Sequence, residues 1–443
     1  MLNKVYNKVL NAIALSIIAM VLFSCSYHPG YTKKEYKKSI LESEVFTKNF
    51  TGFALYDVEE GRMVYEQNSD KYFTPASNIK LLTFYAGIKL LGDSVPALKY
   101  SICNDSLVFR GTGDPSFLNP SFNSCKVFDF LYNRSEKLYY SAQKYSGESL
   151  GPGWSWDWYK YSYFTEKAAF PIYGNVVRFK IDSRDSVPQV QPTYFSRFIK
   201  KKEGQKTTVP VIRDMGENLF FYNYGDAQPT RKLQIPFKYS PTLLVNLLSD
   251  TLKRNVGLLE HKKCLFEQTV YSVPSDSLYQ EMLQESDNFI AEQLLLLYTS
   301  EILDSLNSDM AIAFIKDSLF KDFPDKPVWF DGSGLSRYNL ITPRTMVHLL
   351  NKLYQEVPQE RLFDLLPAGG VNGTLKDYYK GINEPYVYAK SGTLNNNLSL
   401  SGYLVTKKGR PMIFSFMHNN HVAPSSTIKK EMEKVLMEIH EQY

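Results

Sequence analysis

The chain has 443 residues, of which 44% are hydrophobic and 22% charged, and this composition is typical of a globular protein with two or three domains. Its formal net charge of +5 is not concentrated in a basic run, so nucleic acid is excluded as an expected partner. The six histidines and four cysteines form no cluster with metal-ligand spacing, and no phosphate-binding glycine loop is present. We therefore expect neither a metal nor a cofactor.

The first 25 residues predict a targeting segment. Lys4 and Lys8 precede an apolar run at residues 9–23, which is too short and too interrupted by polar residues for a membrane-spanning helix. The segment Leu-Phe-Ser-Cys at residues 22–25 resembles a bacterial lipobox, whose cysteine, here Cys25, is lipidated and becomes the mature N-terminus. An uncleaved anchor and a secreted protein with a spare cysteine remain the alternatives.

After the signal peptide, residues 26–45 are polar and predict a tether. Two strand-like segments at residues 53–57 and 63–67 predict a β-hairpin. A helix running to about residue 92 is predicted next, and Ser77 lies in its first turn. Lys80 follows one turn later on the same face, where a neutral lysine can take the serine proton and create a nucleophile.

Residues 95–271 predict a separate, largely β insertion, because short strand-like runs alternate there with glycine, proline, asparagine and aspartate. We expect strands at residues 176–181 and 219–224 and a helix at residues 241–253. The cysteines left after lipidation permit one disulfide and one free thiol; they are Cys103, Cys125 and Cys264.

The last part of the chain predicts helices and three strands. Ser286 is expected to cap a helix that starts just after it. Further helices are expected at residues 278–284, 311–320, 345–354 and 426–439, and strands at residues 386–390, 398–405 and 412–418.

The two ends of the chain are expected to form one domain. The N-terminal hairpin and the three C-terminal strands can share one antiparallel sheet, with helices on both faces. The sequence therefore predicts an α+β fold in which residues 46–94 and 272–443 make the catalytic domain and residues 95–271 interrupt it.

Three short motifs occur in a fixed order. Ser-x-x-Lys alone carries little information, because it occurs at Ser77/Lys80, Ser141/Lys144, Ser318/Lys321 and Ser426/Lys429. Ser-x-Asn likewise recurs at Ser121/Asn123 and Ser305/Asn307. Lys-[Ser/Thr]-Gly occurs once, at the end of a predicted strand. Together they give the set known from penicillin-binding proteins and serine β-lactamases, namely Ser77-x-x-Lys80, Ser286-Asp287-Asn288 and Lys390-Ser391-Gly392.

The segments around these motifs resemble one family. Residues 330–337, 367–375 and 389–394 are similar to the D-alanyl-D-alanine carboxypeptidase/endopeptidase family called penicillin-binding protein 4, peptidase family S13. Residues 111–115 and 154–157 resemble that family's insertion, and the likeness covers roughly residues 50–440. The resemblance implies a penicillin-binding, serine β-lactamase-like transpeptidase domain. It also implies a serine-type peptidase that acts on the D-Ala-D-Ala ends of peptidoglycan stem peptides through an acyl-enzyme and is inhibited by β-lactams.

Chemistry assigns a role to each motif. We expect Ser77 to attack the D-Ala-D-Ala carbonyl carbon and Lys80 to take its proton, since burial and the charge of Lys390 favour one neutral lysine. Ser286 can relay a proton to the leaving amine. Asn288 can hold the substrate amide and the lysine base.

The third motif is expected to bind the substrate. Lys390 and the hydroxyls of Ser391 and Thr393, with Gly392 between them, suit its terminal carboxylate. The backbone N–H groups of Ser77 and Thr393 are the candidate oxyanion hole. The family mostly has threonine where this chain has Ser391, and the retained hydroxyl should be tolerated.

Two further residues are candidates for recognising the stem side chain. The family's insertion overhangs the site, so Asp157 can meet the amine of a meso-diaminopimelate side chain, and Arg337 can bind its carboxylate bidentately. Ordinary surface or loop-bracing roles fit both residues as well. The family commonly has a second aspartate where this chain has Trp158.

Two other functions share the motifs. A β-lactamase normally has closely spaced first and second motifs, whereas Ser77 and Ser286 are about 200 residues apart. A peptidoglycan-binding or β-lactam-sensing protein that acylates without turnover is the other alternative. We expect a monomer at the periplasmic face of a bacterial membrane, lipid-anchored, and the sequence does not separate carboxypeptidase from endopeptidase activity.

Overall fold

The computed structural model describes residues 38, 40, 42–142, 145–182, 187–202, 210–223, 230–260 and 265–443. The predicted signal peptide, Cys25, most of the tether and Cys264 lie outside the described residues. Cys103 and Cys125 are exposed free thiols. Within the ranges above, no helix combines the length and the apolar character that crossing a membrane requires.

The described strands and helices follow the predicted order closely. The strands are β1 (Phe50–Asp57), β2 (Arg62–Gln67), β3 (Ser94–Cys103), β4 (Ser106–Gly111), β5 (Lys137–Ala142), β6 (Val176–Ile181), β7 (Gln189–Gln191), β8 (Ile199–Lys201), β9 (Val211–Arg213), β10 (Phe220–Tyr222), β11 (Arg231–Pro236), β12 (Val256–Glu260), β13 (Gln268–Pro274), β14 (Val387–Leu394), β15 (Asn397–Val405) and β16 (Pro411–Asn419). The helices are α1 (Lys80–Leu90), α2 (Lys126–Tyr132), α3 (Pro241–Leu252), α4 (Ser275–Gln284), α5 (Asn288–Leu303), α6 (Ser308–Leu319), α7 (Pro343–Glu356), α8 (Gln359–Leu365) and α9 (Ser425–Gln442).

One antiparallel sheet joins the two ends of the chain, in the order β14-β15-β16-β1-β2. Side chains of β16 alternate between two hydrophobic cores, as a strand covered on both faces requires. Ile413 and Met417 pack with α1, α5 and α7, whereas Phe414 and Phe416 pack with α9. The predicted fold class, with helices on both faces of one shared sheet, is confirmed.

The insertion has a hydrophobic core of its own. Its strands form a mixed five-stranded sheet, β12-β5-β4-β3-β13, and two three-stranded sheets, β8-β10-β9 and β11-β6-β7. Strands β3 and β13 pair antiparallel, with Leu98 opposite Val270, so the chain leaves the catalytic domain and returns to it on neighbouring strands. The domain boundaries stay a prediction, which this pairing supports.

A buried glutamine of α5 fastens the insertion to the catalytic domain. Gln293 Nε2 donates to the carbonyl oxygens of Gly113 at 2.7 Å and Ala168 at 2.8 Å, and its Oε1 accepts from the Ala168 N–H at 2.9 Å. The insertion is thereby held on the helix that follows the second motif.

The expected cap of α5 was wrong. The cap is Asp287, whose side chain accepts from the Ile290 N–H at 2.8 Å. Ser286 instead adopts a left-handed backbone conformation, with φ 61°, which is uncommon for a residue with a Cβ. This conformation leaves the serine hydroxyl free to meet the third motif.

Candidate active site

The first two motifs meet at one buried amine. Lys80 is fully buried, and its Nζ lies 3.0 Å from Ser77 Oγ. The same Nζ donates to Asn288 Oδ1 at 2.6 Å and to the carbonyl oxygen of Ser333 at 2.7 Å. Thus a residue on each of three separate segments contacts this lysine.

Ser77 lies in a short 3-10 helix, Ala76–Ile79, rather than in the α-helix that begins at Lys80. Two glycines let neighbouring segments approach this turn. A Cβ on Gly334 would collide with the carbonyl oxygen of Ala76, and a Cβ on Gly392 would lie 2.9 Å from the Ser77 backbone nitrogen. Ser77 is therefore closely packed between the loop that contains Gly334 and strand β14, which contains Gly392.

The second and third motifs meet through another buried lysine. Lys390 is fully buried, and its Nζ donates to Ser286 Oγ and to the Ser391 carbonyl oxygen, each at 2.9 Å. Ser391 Oγ in turn donates to Thr374 Oγ1 at 2.8 Å. Thr393 is exposed on β14, which is an edge strand.

Burial weakens the basicity of both lysines. It lowers the pKa of Lys80 to about 8, although the carboxylates of Asp331, Asp287 and Glu292 oppose this shift. Burial, with the adjacent positive charge of Lys80, lowers the pKa of Lys390 well below its usual value. A neutral amine is therefore available near physiological pH.

A carboxylate network behind the site was not predicted from the sequence. Glu292 Oε1 accepts from the Ser333 N–H at 2.8 Å, and this orients the carbonyl group that contacts Lys80. Burial and the charge of Asp331 raise the pKa of Glu292 to about 7. The sequence could have indicated that Glu292 lies near the site, because it follows Asn288 by four residues and so lies on the same helix face.

Asp331 organises the loop over the nucleophile. Its carboxylate accepts from the backbone N–H groups of Gly334 at 2.9 Å and Ser336 at 2.6 Å, and from Asn339 Nδ2 at 2.7 Å. Trp154 Nε1 of the insertion donates to the same carboxylate at 2.8 Å. The insertion and the loop are thus joined directly above the site.

The two candidates for side-chain recognition, Asp157 and Arg337, are both exposed. Arg337 Nη1 donates to the Asn395 carbonyl oxygen at 3.3 Å. Burial, with the neighbouring Tyr161 and the charge of Asp157, raises the pKa of Tyr163, whose carbonyl oxygen accepts from Asn288 Nδ2 at 3.1 Å. In the described part of the chain, neither Asp157 nor Arg337 forms an ion pair.

The shared sheet, the long insertion and the three motifs at two buried lysines define a protein of the penicillin-binding, serine β-lactamase-like class. The fold is similar to the crystal structure of penicillin binding protein 4 (dacB) from Haemophilus influenzae, with a TM-score of 0.73 and 18% identity, covering 93% of this chain and 99% of that one. A predatory peptidoglycan endopeptidase from Bdellovibrio bacteriovorus has a TM-score of 0.51 and 14% identity, covering 87% of this chain and 92% of that one.

The chain belongs to the D-Ala-D-Ala carboxypeptidase 3 (S13) family, whose model matches residues 34–208 and 249–439. It is 24% identical to the D-alanyl-D-alanine carboxypeptidase of Actinomadura sp. (strain R39), over 87% of this chain and 81% of the relative. It is 22% identical to the D-alanyl-D-alanine carboxypeptidase DacB of Haemophilus influenzae, over 82% of this chain and 84% of the relative. The predicted family and the predicted enzyme class, a hydrolase of this peptidase family, are confirmed.

Proposed function

We propose that Ser77 is the nucleophile of a serine-type D-Ala-D-Ala peptidase that acts on peptidoglycan stem peptides. The observation that carries the proposal is the buried amine of Lys80, 3.0 Å from the serine hydroxyl. Attack forms an ester between Ser77 and the penultimate D-alanine and expels the leaving amine. Water then hydrolyses the ester and restores the serine.

The partners of Lys80 support its role as the base. A neutral lysine has two N–H donors and one lone pair. Asn288 Oδ1 and the Ser333 carbonyl oxygen can only accept, so they engage the two N–H groups. The hydroxyl of Ser77 is the remaining neighbour and can donate, which directs the lone pair to the proton that must be removed.

The pair of Ser286 and Lys390 suits protonation of the leaving amine. Their 2.9 Å hydrogen bond connects a hydroxyl to a second buried amine, distinct from that of Lys80. A proton can pass through the hydroxyl to the amine as the amide bond breaks. Once the leaving group departs, the same route returns a proton from the attacking water.

The edge of β14 suits the substrate backbone. The Ala389 N–H donates to the Pro367 carbonyl oxygen at 3.0 Å, and the Gly369 N–H donates to the Val387 carbonyl oxygen at 2.9 Å. Backbone groups of odd-numbered residues of β14 therefore point away from β15. Alternation along the strand gives the Thr393 N–H the same direction, beyond the part of the edge that residues 367–369 cover. This supports an oxyanion hole made by Thr393 and the nucleophilic serine.

Lys390, Ser391, Gly392 and Thr393 are proposed to bind the carboxylate end of the substrate. We further propose that Asp157 and Arg337 recognise a diamino acid side chain of the stem. Both are exposed, the charge of Asp157 acts on Tyr163, whose carbonyl oxygen contacts Asn288, and Arg337 follows the loop that contacts Lys80. An Asp157→Ala variant should lose activity on stems with a free side-chain amine and keep it on stems without one. Equal activity on both substrates would remove this role.

The function is tested by incubating the purified protein with a stem pentapeptide that ends in D-Ala-D-Ala. We expect steady release of D-alanine, abolished in Ser77→Ala. A single burst without turnover would instead favour a β-lactam sensor. Rapid hydrolysis of nitrocefin without D-alanine release would favour a β-lactamase.

β-Lactams are proposed to acylate the same serine. A solved endopeptidase from Bdellovibrio bacteriovorus, similar in fold, was obtained acylated by penicillin G, and Haemophilus influenzae penicillin binding protein 4 was solved with a β-lactam. Because peptidoglycan lies in the cell envelope, the enzyme must act there. We propose a monomer anchored through lipidated Cys25, and Cys25→Ala should abolish metabolic labelling by palmitate.

A further inference from the structure

A buried lysine of the insertion lies against α5, the helix that follows the second motif. The Lys167 N–H donates to the Ser149 carbonyl oxygen at 2.9 Å, and the next residue, Ala168, is held through both its backbone groups by Gln293. Lys167 is only 6% exposed. Because Gln293 follows Glu292 in α5, these contacts bring Lys167 to the turn of the helix that carries the carboxylate behind the catalytic site.

Two opposite charges are therefore buried at this junction without a direct partner for each. Within the described chain, Lys167 forms no ion pair and its amine donates no hydrogen bond. Glu292 is 1% exposed; its Oε1 accepts from the Ser333 N–H, whereas its Oε2 has no hydrogen-bond partner among the described residues. An isolated buried charge is costly, so a lysine and a glutamate buried at one junction should compensate each other.

The charges around Glu292 come from the insertion and from the loop over the nucleophile. Burial and the charge of Asp331 raise the pKa of Glu292, whereas the charge of Lys167 opposes this shift. Glu292 in turn acts on the base, because burial lowers the pKa of Lys80 and the charge of Glu292 is one of those that oppose this lowering. The effect of the insertion on the base can thus pass through one carboxylate.

The other titratable groups near Lys167 are less able to compensate its charge. Lys167 lines a cavity of about 380 Å³ together with Tyr145, Glu148 and Asp309. Burial raises the pKa of Tyr145, so this phenol stays neutral. Glu148 and Asp309 are exposed, and water and salt screen their charges. Among these carboxylates, only Glu292 is buried.

We propose that Lys167 is a positioning residue of the catalytic centre, whose ammonium group keeps Glu292 ionised, so that Glu292 holds the Ser333 N–H and keeps Lys80 basic. The inference rests on the proposed function, in which Lys80 is the base. Lys167 acts by its charge alone, and no proton passes through it. The insertion thereby takes part in the chemistry, since a charge that it carries sets the proton affinity of a base in the catalytic domain.

The test is the pH dependence of acylation by benzylpenicillin in Lys167→Met, which removes the charge but keeps an unbranched side chain. Without that charge Glu292 should take up a proton near neutral pH, and Lys80 should lose a supporting carboxylate. The midpoint of the acid limb should then move to lower pH by roughly half a unit or more. Lys167→Arg keeps the charge and should keep the midpoint. Lys126→Met, at an exposed position on α2, is the matched control.

A double variant shows whether the effect passes through Glu292. In Glu292→Gln the carboxylate is absent, so adding Lys167→Met should move the midpoint no further. Infrared difference spectra of the unmodified protein against Glu292→Gln at pH 8 should show an ionised carboxylate, and they require no change at Lys167. These variants leave the other charges that face the base in place, namely those of Asp287, Asp331 and Lys390.

The inference is overturned if the midpoint in Lys167→Met stays in place or rises, or if it falls equally in Lys167→Arg. A shift of the same size in the Glu292→Gln background also overturns it, as does a protonated Glu292 in the unmodified protein at pH 8. If Lys167→Met does not fold, the infrared result decides. A protein that penicillin does not acylate at any pH would instead contradict the proposed function, so the two failures are distinguishable.

Discussion

Two buried lysines determine the chemistry at the scale of single residues. Each is fully buried, and each has a lowered pKa because an ammonium group loses its hydration there. Only Lys80 contacts the nucleophile, and it is also the lysine that nearby carboxylates keep more basic. A base with a pKa of about 8 combines proton affinity with a useful neutral fraction near neutral pH.

The rate of acylation by penicillin should therefore depend on pH. Lys80 acts as a base only when it is neutral, so the rate should fall about tenfold per pH unit below pH 8 and level off above it. Stopped-flow measurement of the second-order acylation rate constant between pH 5.5 and 9 checks this. A rate that stays flat, or that rises as the pH falls, would contradict a neutral Lys80.

The charge of Glu292 should shift the pH dependence of the acylation rate, although Glu292 does not contact the substrate. Its charge raises the pKa of Lys80, and it accepts from the Ser333 N–H through one oxygen. Glu292→Gln keeps an acceptor oxygen but removes the charge, so the midpoint of the acid limb should move to lower pH. Glu301→Gln, an exposed position on the same helix, is the control. A midpoint that stays in place, or rises, would show that Glu292 has a purely structural role.

At the scale of elements, α7 and α9 were predictable because one face of each helix is apolar, and β14 to β16 because they are short apolar runs bounded by polar turns. The strand pattern of β14 to β16 and the helical pattern of α7 and α9 gave bounds within a few residues of those observed. The predicted N-cap of α5 was wrong for a local reason. Ser and Asp are both good N-caps, and only the left-handed backbone of Ser286 decides between them.

Strand β14 approaches the nucleophile so closely at Gly392 that even a small side chain there should impair acylation. A Cβ on Gly392 would lie 2.6 Å from the Pro75 carbonyl oxygen and 2.9 Å from the Ser77 nitrogen. Gly392→Ala should displace the strand edge from the oxyanion hole and lower the acylation rate at least about a hundredfold. Gly92→Ala, where a Cβ meets no atom within 4 Å, is the control. Similar acylation rates in the two variants would contradict the geometry.

At the scale of the whole molecule, the sequence predicted an insertion but not how it is attached. Its composition and the long distance between the first two motifs predicted the insertion. In the structure, the insertion and the catalytic domain each bury their own apolar side chains. The attachment depends on a few polar contacts, such as those of Gln293 and Trp154, between residues far apart in the chain. Periodicity carries no information about such contacts.

Removing the buried amide of Gln293 should loosen the insertion. Gln293→Ala leaves the backbone groups of Gly113 and Ala168 without their partner, which should lower the free energy of unfolding by about 2–4 kcal/mol. Thermal unfolding combined with limited proteolysis measures this. Gln359→Ala, at an exposed position, is the control. If both variants unfold at the same temperature, the contact does not hold the insertion in place.

The proposed mechanism requires penicillin to form a covalent bond with one hydroxyl, that of Ser77. Intact-mass analysis and peptide mapping after incubation with benzylpenicillin should find a single adduct on Ser77. Ser77→Ala should show no adduct, whereas Ser318→Ala, which alters another Ser-x-x-Lys copy, should be labelled like the unmodified protein. An adduct on any other residue, or continued labelling of a folded Ser77→Ala protein, would contradict the mechanism.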